Sequence, residues 1–202
     1  MTGKKTLIAL AAALGLAGSA TATTIDFEGT ATGTYTSLNY GPVTISFLDG
    51  SGVFNVDDAT PGAPISGHSL INWWANPGTG SFQAVFAGGA GSVSIGMGDF
   101  AGDDDEGHLR AYDAFNNLLD SDYLFVPSSV YGGGTLTVTS ATPIARVEWN
   151  ETGSYAGAVY WDNLTYSPAR QGAVPEPATW AFMLIGLGGT GAILRRRRIA
   201  FA

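Results

Sequence analysis

The feature that most limits what this chain can fold into is an apolar period of two, repeated along its central part and broken by turn-forming residues. Ile25 and Phe27 alternate with Asp26 and Glu28, and Val43, Ile45 and Phe47 alternate with Thr44 and Ser46. Phe82, Ala84 and Phe86 follow the same rule, as do Val93, Ile95 and Met97, Leu136 and Val138, and Ala145, Val147 and Trp149. Successive side chains of a strand point to opposite faces, so each run offers one apolar face to a core and one polar face to water. Between the runs stand Asp49-Gly50-Ser51-Gly52, Pro61-Gly62-Ala63-Pro64, Asn76-Pro77-Gly78 and Gly132-Gly133-Gly134, which read as turns. Many short alternating strands separated by turns specify an all-β domain, an antiparallel β-sandwich or barrel. No helical stripe crosses residues 23–167, and no internal repeat points to a propeller or solenoid.

Both ends depart from this pattern. Met1 to Ala22 holds Lys4 and Lys5, an apolar stretch from Leu7 to Ala17, and Ala20-Thr21-Ala22, an Ala-x-Ala site for signal peptidase. The apolar stretch is short for a membrane span, so cleavage after Ala22 is expected. At the other end, Pro175 and Pro177 fix φ and disfavour helix in the residues before them, so the chain enters a helix only past Pro177. Ala178 to Leu194 carries no charge. As a helix it would rise roughly 25 Å, the short end of what crosses a bilayer core. Arg195, Arg196, Arg197 and Arg198 follow. The positive-inside rule keeps them cytoplasmic and puts everything before the helix across the membrane.

Val174-Pro175-Glu176-Pro177, the hydrophobic helix and the arginine cluster together resemble the PEP-CTERM sorting signal of Gram-negative bacteria, over residues 174–202. The resemblance implies recognition by an exosortase, a membrane-embedded transpeptidase-like protease. That enzyme would remove the helix and send the domain to the cell surface or to an exopolysaccharide biofilm matrix. The alternative is an ordinary tail anchor. The expected organisation is a signal peptide at 1–22, a sandwich at 23–167, a linker at 168–173 and a sorting signal at 174–202, with its motif at 174–177, helix at 178–194 and basic tail at 195–198.

Processing at both ends removes Lys4, Lys5 and the four terminal arginines. Residues 23–173 then keep 16 acidic residues against Arg110, Arg146 and Arg170, a formal charge of −13. Such a domain is repelled by nucleic acid and anionic lipid and attracts cations, Ca²⁺ first among those abundant outside a cell. The chain has no cysteine, which excludes disulfides and thiol catalysis.

One strand breaks its own alternation. In Val159 to Tyr166, Val159 and Trp161 share one parity and Leu164 and Tyr166 the other, so a one-residue bulge at Asp162-Asn163 would put all four on the core face. Tyr160-Trp161-Asp162-Asn163-Leu164 is similar to the last strand of many jelly-roll carbohydrate-binding modules, and Ile25-Asp26-Phe27-Glu28 to their first. That resemblance implies an antiparallel β-sandwich of jelly-roll type, with a structural Ca²⁺ held between Glu28 and Asp162. The alternative is that Asp162 and Asn163 satisfy backbone groups at the bulge while Glu28 is a solvated edge residue.

A second acidic cluster comprises Asp99, Asp103, Asp104, Asp105 and Glu106, followed by Gly107 and His108. Counted as an EF-hand from Asp103 it fails, because Gly107 stands at the fifth position and His108 at the sixth. A solvated loop is expected there in preference to a second cation site.

Catalysis is not expected. His68 and His108 lack a nucleophile context, and Gly-x-Ser-x-Gly, a phosphate loop and His-Glu-x-x-His are absent. Trp73 and Trp74 are adjacent, so alternation lets at most one face the core, and the other could stack on a sugar or cover a loop. The expected function is therefore that of an exported structural protein of the envelope or exopolysaccharide. The alternatives are a non-catalytic carbohydrate-binding module and, more distantly, a polysaccharide-acting enzyme.

Overall fold

The computed structural model describes residues 21–48, 52–71, 80–152, 159–169 and 182–187. The period of two appears as antiparallel strands: β1 (Thr23–Ile25), β2 (Gly33–Tyr35), β3 (Ser37–Tyr40), β4 (Val43–Phe47), β5 (Phe54–Asp58), β6 (His68–Ile71), β7 (Phe82–Asp99), β8 (Asp105–Tyr112), β9 (Leu118–Val126), β10 (Gly132–Glu151) and β11 (Tyr160–Pro168). Residues 20–171 gather into one compact unit. The tight β3–β4 connection uses Gly41 at a φ of 71° followed by Pro42, the left-handed first position that a two-residue hairpin turn requires.

β7 and β10 organise the sheet. They run 18 and 20 residues and pair from Gly132 opposite Asp99 to Trp149 opposite Phe82. Their pairing slips between Thr139 and Ile144 and again between Ile144 and Arg146, which divides each strand into two halves. Gly89 sits at the second slip with a φ of 71°, and a Cβ there would meet Pro143 at 2.9 Å.

Each long strand thus serves two layers. In the first layer, β11 pairs with the second half of β7, and β6, β5 and β2 continue outward, with β1 on β11. In the second, β4 and β3 extend from the first half of β7, while β8 and β9 extend from the second half of β10.

Aromatic rings join the layers. Phe54 of β5 lies 5.7 Å from Phe47 of β4 and 5.5 Å from Phe82 of β7, and Phe82 stacks on Trp149 at 5.4 Å. Phe86 of β7 meets Tyr166 of β11 at 5.4 Å. These rings are buried with Ile45, Ile95, Leu136 and Val147, the inward members of the alternating runs.

β9 also closes an edge. Asp122 accepts the Thr137 N–H at 2.7 Å and Asp120 accepts the Thr139 N–H at 2.8 Å, so two carboxylates cover backbone donors on the first half of β10. An uncovered row of such donors would invite pairing with another chain.

Two points differ from the sequence expectation. Gly132-Gly133-Gly134 is not a turn but the start of β10, paired with Asp99, Gly98 and Met97. A Cβ on Gly133 would overlap the Met97 carbonyl, so the glycines permit close strand approach. The acidic run is not a solvated loop, because Asp105 opens β8 with 3% of its surface exposed. Residues 182–187, inside the expected helix at 178–194, are helical and exposed, and among the described residues no helix is long and apolar enough to cross a membrane. The rest of the expected span at 178–194 lies outside the described residues.

Candidate functional site

The bulge in β11 lies where the broken alternation places it. Pairing with β7 slips between Asp162 and Thr165, and Asn163 takes a φ of 55°. Val159, Trp161, Leu164 and Tyr166 are all buried as a result. Asp162 is buried as well, and N–H donors surround it. Asn163 N–H donates to Oδ1 at 2.6 Å, and Ser66 N–H and the Asn163 side-chain amide donate to Oδ2 at 3.3 and 3.0 Å. The same amide donates to the Pro64 carbonyl at 2.9 Å.

Glu28 approaches this loop from the other side, exposed, with Oε1 accepting the His68 N–H at 3.1 Å. Burial raises the Asp162 carboxyl to about 6; the Asn163 and Ser66 donors oppose the rise, and Glu28 and Asp26 add to it. The two residues named from sequence therefore meet on one loop, each engaged by backbone donors in the manner of a staple. Among the described residues, no third acidic or histidine side chain completes a metal-ligating group with them.

Such a group does form in the second acidic cluster. Asp99 ends β7, Asp105 begins β8, and Asp103 lies in the turn between them. Carboxylate oxygens of Asp99, Asp103 and Asp105 lie within 4.8 Å of one another. Asp105 shares a parity with the inward Gly107, Leu109 and Ala111 of β8, and Asp103 joins it from the turn, whereas Asp104 is exposed and accepts the Ser128 N–H at 2.7 Å. Burial pushes the Asp105 carboxyl up to about 7, and Asp99, Asp103, Glu151 and Asp104 push it the same way. Asp99 is raised by burial too, against the Phe100 N–H that it accepts.

The outer face of the second layer is of another kind. Tyr123 and Phe125 of β9 are 50% and 48% exposed, and the Tyr123 ring packs against His108 at 5.2 Å. Next to them Arg110 donates to the Asn150 side-chain carbonyl at 3.1 Å, and Arg146 pairs with Glu148 at 2.8 Å while covering the Tyr112 ring. Aromatic faces beside amides and charged groups can stack on and hydrogen-bond to a sugar. This face escaped the sequence reading because β9 mixes Asp, Ser and apolar residues without a clean period.

Trp73 and Trp74, the residues singled out for glycan contact, lie outside the described residues. So do Ala20, Val174 to Pro177 and Arg195 to Arg198, while Ala22 is exposed just ahead of β1.

Comparison with known proteins separates the ends of the chain. No curated protein matches it. Among solved structures it is similar to a DUF4465 family protein from Bacteroides caccae, at 12% identity and a TM-score of 0.39, covering 76% of this chain and 95% of that one. It is also similar to the enzymatically active domain of tailspike protein 4 from bacteriophage CBA120, at 14% identity and a TM-score of 0.35, covering 71% of this chain and 20% of that one. A mutant of a family 29 carbohydrate-binding module aligns at 14% identity and a TM-score of 0.36, covering 74% of this chain and 92% of that one. The C-terminal match is one of sequence: residues 173–198, which take in the proline motif, the apolar run and the four arginines, are a PEP-CTERM protein-sorting motif.

Proposed function

We propose that this chain is an exported protein of the cell surface or exopolysaccharide matrix, delivered through its sorting motif and carrying a non-catalytic, jelly-roll-like β-sandwich as its mature part. The motif at residues 173–198 carries this reading. Signal peptidase acts after Ala22, the helix at 178–194 anchors the chain with its arginines in the cytoplasm, and exosortase then removes that anchor. The mature domain is acidic and acts structurally in the envelope or matrix. Its histidines are committed elsewhere. His68 Nδ1 pairs with the Thr30 carbonyl at 2.7 Å, and His108, whose pKa is lowered by burial and by Arg110, pairs with the Thr152 hydroxyl at 3.1 Å. Mass spectrometry of both protein ends, in cells with and without exosortase, tests the reading. The expected product begins at Thr23 and lacks Arg195 to Arg198 only where exosortase is present. An intact tail in exosortase-competent cells would make the chain a plain membrane anchor.

A second reading, glycan binding, is favoured by the outer face around Tyr123, His108 and Asn150. Retention of the protein on the producer's own exopolysaccharide should fall at least threefold in Tyr123→Ala. Retention unchanged there but lost in Trp73→Ala or Trp74→Ala would move the sugar to the tryptophan loop, and no retention at all would remove the reading.

A further inference from the structure

We propose that Asp99, Asp103 and Asp105 bind one Ca²⁺ ion where β7 turns into β8. Three observations carry the site.

The first is geometric. Ca²⁺ holds oxygens at about 2.3 to 2.6 Å, so ligands on opposite sides of one ion lie up to about 5 Å apart. The three carboxylates present oxygens within 4.8 Å of one another, and so fit around a single ion. Backbone carbonyls and water complete the six to eight ligands that Ca²⁺ takes.

The second observation is the lack of donors. Asp103 Oδ2 is buried without a hydrogen-bond partner. Asp105 is 3% exposed, and what acts on its carboxyl is burial and the neighbouring acids Asp99, Asp103, Glu151 and Asp104, with no hydrogen-bond donor among them. A buried carboxylate with neither donors nor a counter-charge is strongly disfavoured, and two more carboxylates beside it make matters worse. Asp104 has the backbone donor that these two lack.

The third is that the available cations are elsewhere. Among the described residues the one ion pair is Arg146 with Glu148, and Arg110 is turned to Asn150. Both arginines lie on the outer face of the second layer, so no described side chain neutralises the cluster. An ion from solution does so, and Ca²⁺ suits an all-oxygen, irregular site of high negative charge better than Mg²⁺, which demands a tight octahedron at about 2.0 to 2.1 Å.

The test uses the full chain in mild detergent, stripped with EDTA and titrated with CaCl₂ by calorimetry and by thermal melting. One Ca²⁺ per chain is expected. The melting temperature should rise by roughly 5 to 10 °C when Ca²⁺ exceeds its Kd a hundredfold. Asp103→Asn and Asp105→Asn should each weaken binding at least tenfold, and Asp162→Asn should leave it within twofold of wild type. Asp103 is partly exposed, so its variant carries the test if Asp105→Asn does not fold. No saturable binding, binding indifferent to both cluster variants, or binding lost in Asp162→Asn but kept in Asp103→Asn would each overturn the proposal.

Discussion

Asp162 and Asp105 are both buried carboxylates whose pKa is raised chiefly by burial, to about 6 and about 7, yet their surroundings are opposite. N–H donors from Asn163 and Ser66 reach both oxygens of Asp162. Around Asp105 the neighbours are other acids: Asp99, Asp103, Glu151 and Asp104. The first carboxylate ties the loop of residues 60–68 to the bulge in β11. The second has like charges where the first has donors. Burial alone does not separate these roles; the groups that face the oxygens do.

The largest expected effect lies at the staple. Asp162→Ala leaves the Ser66 and Asn163 N–H groups without their acceptor, and should cost about 3 kcal/mol in urea unfolding whether or not Ca²⁺ is present. A cost that vanishes in EDTA would erase the distinction between the two sites. A smaller effect of opposite sign belongs to the acidic turn. In metal-free buffer Asp105→Asn removes a like charge from a buried cluster and should stabilise the protein by about 1 kcal/mol. Destabilisation in EDTA would mean that the Asp105 carboxylate has a partner.

A pH dependence follows from the same Asp162 carboxyl. Asp162 has a folded pKa of about 6, above the usual aspartate value near 3.9 in the unfolded chain. The folded state therefore holds the proton more tightly, and this contribution to stability is fully present below about pH 3.9 and lost as pH rises through about 6. Wild type should thus lose stability relative to Asp162→Asn between pH 4 and pH 6, and the difference should level off above pH 7. A flat difference across that range would mean that Asp162 titrates normally.

The bulge was legible because apolar residues change parity across it. Val159 and Trp161 cannot share a face with Leu164 and Tyr166 unless one residue is left over, and the structure leaves it at Asp162-Asn163. The sorting motif was legible for a different reason, since it is linear and needs no fold to be recognised. The acidic turn was hidden by adjacency. Asp103 to Glu106 looks like one solvated run, but alternation turns Asp105 inward, the turn brings Asp103 to it, and β7 delivers Asp99 from the other side. β8 was hidden with it, because Asp105 and Gly107 occupy inward positions where apolar residues would mark a strand. In β9, Asp120 and Asp122 face the donors of β10 instead of water, so its polar residues mislead as well. The register slips between β7 and β10 involve the close approach of Gly89 and Pro143, which local spacing does not encode.

Terbium luminescence tests the division between the two carboxylates most directly. Tb³⁺ replaces Ca²⁺ in oxygen sites and emits when a nearby aromatic ring is excited; the Tyr160 pKa is raised by burial, then by Asp57 and Asp99, which places that ring near the cluster. On the EDTA-stripped full chain, the account predicts sensitised emission that Ca²⁺ displaces, that Asp162→Asn retains and that Asp103→Asn abolishes. Emission that survives Asp103→Asn and disappears in Asp162→Asn would place the ion at the bulge and contradict it.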